Sequence, residues 1–171
     1  LTDGDGLEYL IDAISILSSK GVKDVAVCIV GEGLFKNTLI NKSRSLSNIV
    51  YVDAQPKRII HSILKSSDML YLAWKKLPIY KFGIAPNKLP EYMFSGRPIV
   101  HSYSGSYDFV DLANAGLSIQ AEDPQAIANA ILKLKGMTQG QRDELGENGR
   151  RYAIENHDYS KLSKKLSEIL D

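Results

Sequence analysis

Val25-Ala26-Val27-Cys28-Ile29-Val30-Gly31-Glu32-Gly33 decides the fold class of this chain. Six apolar residues, mostly β-branched and without polar alternation, predict a strand buried on both faces, and the two glycines predict a tight turn at its carboxyl end. Such strands belong to parallel sheets covered by helices. The flanking sequence agrees. Upstream, Leu7, Leu10, Ile11, Ile14 and Leu17 recur at helical spacing and stop at Gly21. Downstream, residues 34–45 return to a helical pattern, Ile49–Val52 reads as a short strand, and Pro56 opens a helix with Ile59, Ile60, Ile63 and Leu64 as its apolar face. Residues 68–74, 98–101 and 116–120 read as three more strands. Between them lie an irregular stretch over 75–85, a helix over 87–95 ended by Gly96, a loop over 102–106 and a helix over 107–114. Helices over 124–135, 139–155 and 159–170 close the chain. Strands separated by helices imply parallel pairing through right-handed crossovers, hence an α/β, Rossmann-like, doubly wound sheet. The last two helices precede no strand, so they are expected to pack outside the sheet or onto another domain.

At 171 residues the chain can bury one good core, and a single domain over 1–171 is expected. Hydrophobic content of 44% and charged content of 24% are those of an ordinary globular protein. Lys+Arg minus Asp+Glu is 21 − 20 = +1, so no large field steers the domain toward nucleic acid or membrane. Cys28 is alone, which excludes an internal disulfide, and its apolar run predicts a buried strand thiol. Apolar runs fall far short of the ~20 residues needed to cross a bilayer, and no signal segment opens the chain. A cytoplasmic location is expected. Leu1-Thr2-Asp3-Gly4-Asp5-Gly6 reads as the middle of a loop, as if the chain began partway through a longer protein.

In an open parallel sheet, ligands bind beyond the carboxyl ends of the strands. Four loops qualify, at 31–34, 53–56, 75–87 and 102–106. Gly31-Glu32-Gly33 could bring a phosphate to a helix start, or be only a tight turn, since it lacks a third glycine and a P-loop lysine. Phe82-Gly83-Ile84-Ala85-Pro86-Asn87-Lys88-Leu89-Pro90-Glu91-Tyr92-Met93-Phe94-Ser95-Gly96-Arg97-Pro98-Ile99-Val100 says more. Pro86 presets a helix entry, leaving the first N–H groups, from Asn87 to Leu89, aimed into the cleft. Lys88 adds a cation in the first turn, where the helix dipole disfavours one, and an anion such as a diphosphate would compensate it. Glu91 follows on the same flank, able to accept hydrogen bonds from a ribose diol. The plainer possibility is a Lys88–Glu91 helix pair worth about 0.3 kcal/mol. His101 ends a strand facing the cleft, whereas His61 and His157 read as surface or capping groups. Trp74 with Lys75, Lys76 and Lys81 could flank a substrate or form a solvated loop. No Ser/His/Asp set or His/Cys metal spacing is found.

Taken in order, these segments resemble the C-terminal domain of a retaining, GT-B fold, family 4 glycosyltransferase, a group that builds bacterial cell-surface polysaccharides. Residues 6–13 resemble the family's first helix, and 27–33 its "lxIvGdG" strand and turn. Residues 82–100 are similar to the donor motif in the form "GxxPNKLxEYMxxGxPiv", and 149–159 resemble the closing "GRryveehhsw" segment. The resemblance implies transfer of a sugar from a UDP- or GDP-sugar to a glycan or lipid-linked acceptor, with retention and without a metal or other cofactor. It implies an acceptor domain outside this chain, so the 171 residues alone are expected to be inactive. The full-length protein would work in the cytoplasm, at the inner face of the membrane. Glu91 matches the second glutamate of the E-x7-E motif, which binds ribose hydroxyls, and Asn87, Lys88 and Leu89 fall where the diphosphate is contacted. Gly83, Ile84 and Gly33 fall beside the donor, and Asp53 and Gln55 near the base. Gly83 stands in place of the motif's first glutamate, and Asp5 where many members have a phosphate-binding lysine. Lys88 is therefore the candidate for stabilising the leaving diphosphate. Two alternatives are a nucleotide-sugar epimerase of the same fold, whose acid/base groups find no match here, and a flavodoxin-like regulatory domain, whose acidic strand ends are absent.

Overall fold

The computed structural model describes residues 1–157 together with Ser163, Ser167 and Glu168. The helix expected over 159–170 otherwise lies outside the described residues. After a short 3-10 turn, Asp3–Asp5, come α1 (Leu7–Ser19), β1 (Val27–Val30), α2 (Lys36–Lys42), β2 (Ile49–Val52), α3 (Lys57–Ser66) and β3 (Leu70–Ala73). A second 3-10 turn, Pro78–Phe82, leads to α4 (Lys88–Phe94), β4 (Ile99–Ser102), α5 (Phe109–Leu112), β5 (Gly116–Ile119), α6 (Pro124–Gly136) and α7 (Gln139–Asn156). Among the described residues, each other expected element is present and most are trimmed at the ends. The stretch over 75–85 contains a 3-10 turn that periodicity does not reveal.

All pairings are parallel, as β-branched strands joined by helical crossovers require. They form two sheets, β1-β2 and β3-β4-β5, where the sequence predicts one. Chain order runs outward from β1 to β2, returns through α3 to β3, and runs outward the other way, the doubly wound pattern with its reversal between β1 and β3. Leu10, Ile14 and Leu17 of α1 pack with Ile127 and Ile131 of α6 on one face. On the other, Leu70 and Leu72 of β3 meet Leu64, Leu89 and Met93. Tyr71 turns to the first face, so β3 is covered on both sides.

β1 is not. Ile29 is buried, Val27 and Val30 are half-buried, and Cys28 is exposed, which corrects the expectation of a doubly buried strand and a buried thiol. The cause is positional: among the described residues β1 pairs on one edge only, and Cys28 lines a cavity together with Ile60 and Ile63 of α3.

The helix starts are locally encoded. Asp123 accepts the Ala126 amide at 2.9 Å ahead of a proline at the start of α6, and Thr138 with Gln141 forms a capping box on α7. The expectation that α7 packs outside the sheet holds, and small residues permit it. Gly146 sits against the Gly96 carbonyl with no room for a Cβ, and a Cβ at Gly149 would stand 3.0 Å from that of Ala115. Gly140, in the same helix, faces open space. Gly146→Ala is therefore expected to lower stability by about 1–3 kcal/mol through overpacking. Gly140→Ala is expected to leave it unchanged or raise it by up to about 1 kcal/mol through helix propensity. Urea unfolding of the two variants checks the opposite signs.

Candidate functional site

Parallel pairing brings the carboxyl ends of the strands to one edge, and the four candidate loops lie there. After β1, Gly31 (φ 136°) and Gly33 (φ 153°) take backbone conformations that favour glycine. The turn is filled by Leu1. The Leu1 ammonium donates to the Glu32 carbonyl, the Leu1 carbonyl accepts from the Phe35 amide at 3.4 Å, and no Cβ would fit at Gly33 against this backbone. Lys36 reaches Glu32 at 2.7 Å and Asp53 at 2.6 Å. The Lys36 hydrogen bond holds the Asp53 carboxyl below the usual carboxylate range. Gln55 folds back, donating its side-chain amide to the Asp53 carbonyl at 3.2 Å. Gly33, Asp53 and Gln55 thus form one neighbourhood around Lys36.

The second neighbourhood surrounds the start of α4. Gly83 has φ 94° and ψ 177°, a region reserved for glycine, and a Cβ there would lie 3.2 Å from the Tyr107 ring. Backbone conformation therefore accounts for a glycine where the E-x7-E pattern has glutamate. Ile84 is half-buried behind it. Leu89 differs from expectation. Its side chain is buried, and its amide donates to the Pro86 carbonyl at 3.1 Å. Of the N–H groups predicted to face the cleft, those of Asn87 and Lys88 have no backbone acceptor among the described residues.

Lys88 and Glu91 do not pair with each other. Lys88 reaches Asp5 at 2.8 Å, and Glu91 meets the exposed Lys57 at 3.4 Å. Asp5 also accepts from the Thr2 amide at 2.7 Å and hydroxyl at 3.0 Å. Burial pushes the Asp5 carboxyl up, but the bonds from Lys88 and Thr2 outweigh it and leave the group below the usual range. Lys75 holds the same segment, at 2.6 Å from Asp3 and 3.0 Å from Glu8, and the Asp3 bond drives its ammonium well above the ordinary lysine value. Leu1, Asp5, Lys88, Glu91 and Tyr92 are among the residues lining a cavity of about 670 Å³, within the usual range for small-ligand sites.

His101 lies inside rather than in the cleft: it is 1% exposed and stacks on Tyr103 with centroids 5.2 Å apart. Its Nδ1 is 2.9 Å from Asp108, which also caps α5 by accepting the Val110 and Asp111 amides at 3.0 and 3.3 Å. Trp74 meets Tyr80 edge-on at 5.9 Å, and Lys81 lies over the Phe82 ring at 4.8 Å. Sequence reasoning missed the Asp5–Lys88 and His101–Asp108 contacts. Only the second had a usable signal, an Asp directly before an apolar helical run.

Asp108→Ala removes a cap, worth about 0.5–2 kcal/mol, and strands a buried imidazole nitrogen, about 1–3 kcal/mol. A loss of about 2–3 kcal/mol is expected by urea unfolding, and a smaller one for Asp108→Asn, which keeps an acceptor. Burial raises the Asp108 carboxyl, but the bond and charge of His101 together with the bonds from Ser118 and the Asp111 amide outweigh it, and its folded value lies below the ordinary one. Its stabilisation is therefore present above the unfolded value near pH ~4 and fades as pH falls through the lower folded value. That acid-labile part of stability should be missing in Asp108→Asn.

A family profile described as "Glycosyl transferases group 1" matches residues 1–136. No curated protein matches. Among solved structures, the sucrose-phosphate synthase (tll1590) of Thermosynechococcus elongatus aligns with a TM-score of 0.80 at 16% identity, over 99% of this chain and 42% of that one. Anabaena Alr3699/HepE in complex with UDP-glucose gives 0.78 at 18% identity, over 99% and 46%. WaaG, a glycosyltransferase of lipopolysaccharide biosynthesis, gives 0.73 at 19% identity, over 96% and 43%. The fold is that of the C-terminal half of GT-B enzymes, and the chain spans less than half the length of the structures it matches.

Proposed function

The chain belongs to the group 1 glycosyltransferases, and from that premise we propose that it holds a nucleoside diphosphate sugar, UDP- or GDP-linked, beside the amino end of α4. One observation carries this reading. Lys88 and the free amides of Asn87 and Lys88 offer positive charge and donors, while Glu91, on the same flank, offers an acceptor carboxylate, and both side chains open on one cavity. The first set suits a diphosphate and the second a ribose diol. Asp53 and Gln55 would meet the base, with Gly33, Gly83 and Ile84 bordering the donor. The likeness to Alr3699/HepE, solved with UDP and with UDP-glucose, supports a nucleotide sugar as the ligand.

As the bond from the anomeric carbon to the diphosphate breaks, negative charge grows on the leaving group. Lys88 and the α4 amides are positioned to stabilise it without reorganising, and no metal is needed in this scheme. A polysaccharide or lipid-linked acceptor, held by a further domain, receives the glycosyl group with retention. The full-length protein would do this in the cytoplasm, at the inner face of the membrane. The 171 residues alone are then a binding half, without transfer activity. Family membership favours this reading over a regulatory domain.

Asp5 is a competitor in this scheme, since it already holds the Lys88 ammonium. In calorimetric titration with UDP, Lys88→Ala and Glu91→Ala should each weaken binding about tenfold or more, the worth of a charge-assisted hydrogen bond. Asp5→Asn should tighten it by freeing Lys88. Unchanged affinity in Lys88→Ala beside a loss in Glu91→Ala would remove Lys88 from the diphosphate site. Absence of binding to both UDP and GDP would return the regulatory reading.

A further inference from the structure

Tyr107 is held in a backbone conformation that costs a bulky residue free energy. Its φ is 58°, in the left-handed region, and the residue is 69% exposed, so burial of the ring does not offset the strain. The surroundings impose this conformation. Behind Tyr107, the Tyr103 hydroxyl donates to the carbonyls of Tyr80 and Ser106 at 3.1 and 2.9 Å, and the Ser106 amide donates to the Tyr80 carbonyl at 3.2 Å. Ser104 accepts the Ala121 amide at 3.0 Å, and Gly105 has no room for a Cβ against the Tyr103 hydroxyl and the Tyr80 carbonyl. Ahead of Tyr107, Asp108 is fixed by His101 and by the first amides of α5. A tied-down loop at the carboxyl edge of the sheet thus carries an exposed aromatic ring, at the edge where open parallel sheets take their ligands.

What the ring does there follows from Gly83. The Gly83 amide also donates to the Tyr80 carbonyl, at 3.0 Å, so both segments hang on one acceptor. A Cβ on residue 83 would lie 3.2 Å from Cδ2 of the Tyr107 ring. The ring therefore borders the space into which a side chain at 83 would project. Where the E-x7-E pattern supplies a carboxylate, this chain supplies an aromatic face and a phenol hydroxyl. Residues 74–90 contain no Asp or Glu, so no carboxylate of this stretch makes good the loss. The two kinds of group read a sugar differently. A carboxylate accepts from hydroxyls and fixes their configuration. An aromatic ring covers the apolar C–H face of a pyranose, and its hydroxyl adds one donor or acceptor.

Resting on the donor reading above, we propose that Tyr107 selects the donor's sugar: its ring covers the C–H face of the hexose beside Gly83, while the nucleotide and diphosphate are held without it. The strained backbone sets the ring in place before the ligand arrives, so stacking needs little further ordering.

Calorimetric titrations of the 171-residue chain and its Tyr107→Gly and Tyr107→Phe variants test this, with UDP, GDP, UDP-glucose, UDP-galactose and GDP-mannose as ligands. The unmodified chain should bind at least one of the sugar nucleotides about three- to tenfold more tightly than the matching nucleotide, the worth of an aromatic contact. Tyr107→Gly should abolish that preference and leave UDP and GDP affinity within about twofold. It should also unfold in urea no more easily, because glycine adopts φ 58° without strain. Tyr107→Phe keeps the ring and should retain most of the preference. A ring that serves only the fold would give the opposite pair, lower stability in Tyr107→Gly and an unchanged preference. That pair, an absent preference in the unmodified chain, or an equal fall in nucleotide and sugar-nucleotide affinity would overturn the proposal while the donor reading stands. Absence of binding to all of these ligands would overturn both.

Discussion

Parallel pairing of short β-branched strands is the constraint on which everything else rests. A crossover must return the chain to the same end of the sheet before each new strand begins, so every strand carboxyl end arrives at one edge. Gly31, Asp53, Trp74 and Tyr103 follow the four strands concerned, and the candidate loops collect there although Gly31 and Tyr103 are 72 positions apart in sequence. Were neighbouring strands antiparallel, their carboxyl-end loops would fall at opposite edges. The site is a consequence of topology first and of residue choice second.

Charge then divides that edge into two parts. Around Lys36, two carboxylates already satisfy the cation, so little remains to attract a further anion. Around α4 the balance differs. Lys88 is half exposed and has one carboxylate partner, and two backbone amides beside it have none among the described residues. The ammonium side of the Lys88–Asp5 pair is half exposed, and the proposed diphosphate would compete with Asp5 for it. The lysine and glutamate that seemed able to pair along the helix are instead held apart, Lys88 by the loop before α1 and Glu91 by Lys57. In the proposed reading, that separation lets the two address different parts of one ligand.

Much of this was legible in the sequence, and the failures have physical causes. Periodicity located the helices and strands because burial enforces it, and Pro56, Pro86, Gly21 and Gly96 marked boundaries. The doubly wound class followed from alternation alone. The apolar run at Val25 misled because hydrophobic sequence reports what a strand can bury, not what lies beside it. Among the described residues β1 has a neighbour on one edge only, and Cys28 is exposed. Leu89 was misread because a helix start was taken as three free amides, while a turn to Pro86 uses one. The Asp5–Lys88 contact joins positions 83 apart, and no local pattern encodes such a distance. His101 was placed in the cleft by strand position, but its stacking on Tyr103 and bond to Asp108 draw it inside.

The central claim is that the amino end of α4, not the glycine turn after β1, receives the diphosphate. Backbone amide shifts of the 15N-labelled chain, followed while UDP is added, address it most directly. The account predicts that the amides of Asn87 and Lys88 move first and furthest, with Glu91 following and the core strands still. Shifts centred on Gly31, Glu32 and Gly33 with α4 unmoved would contradict it.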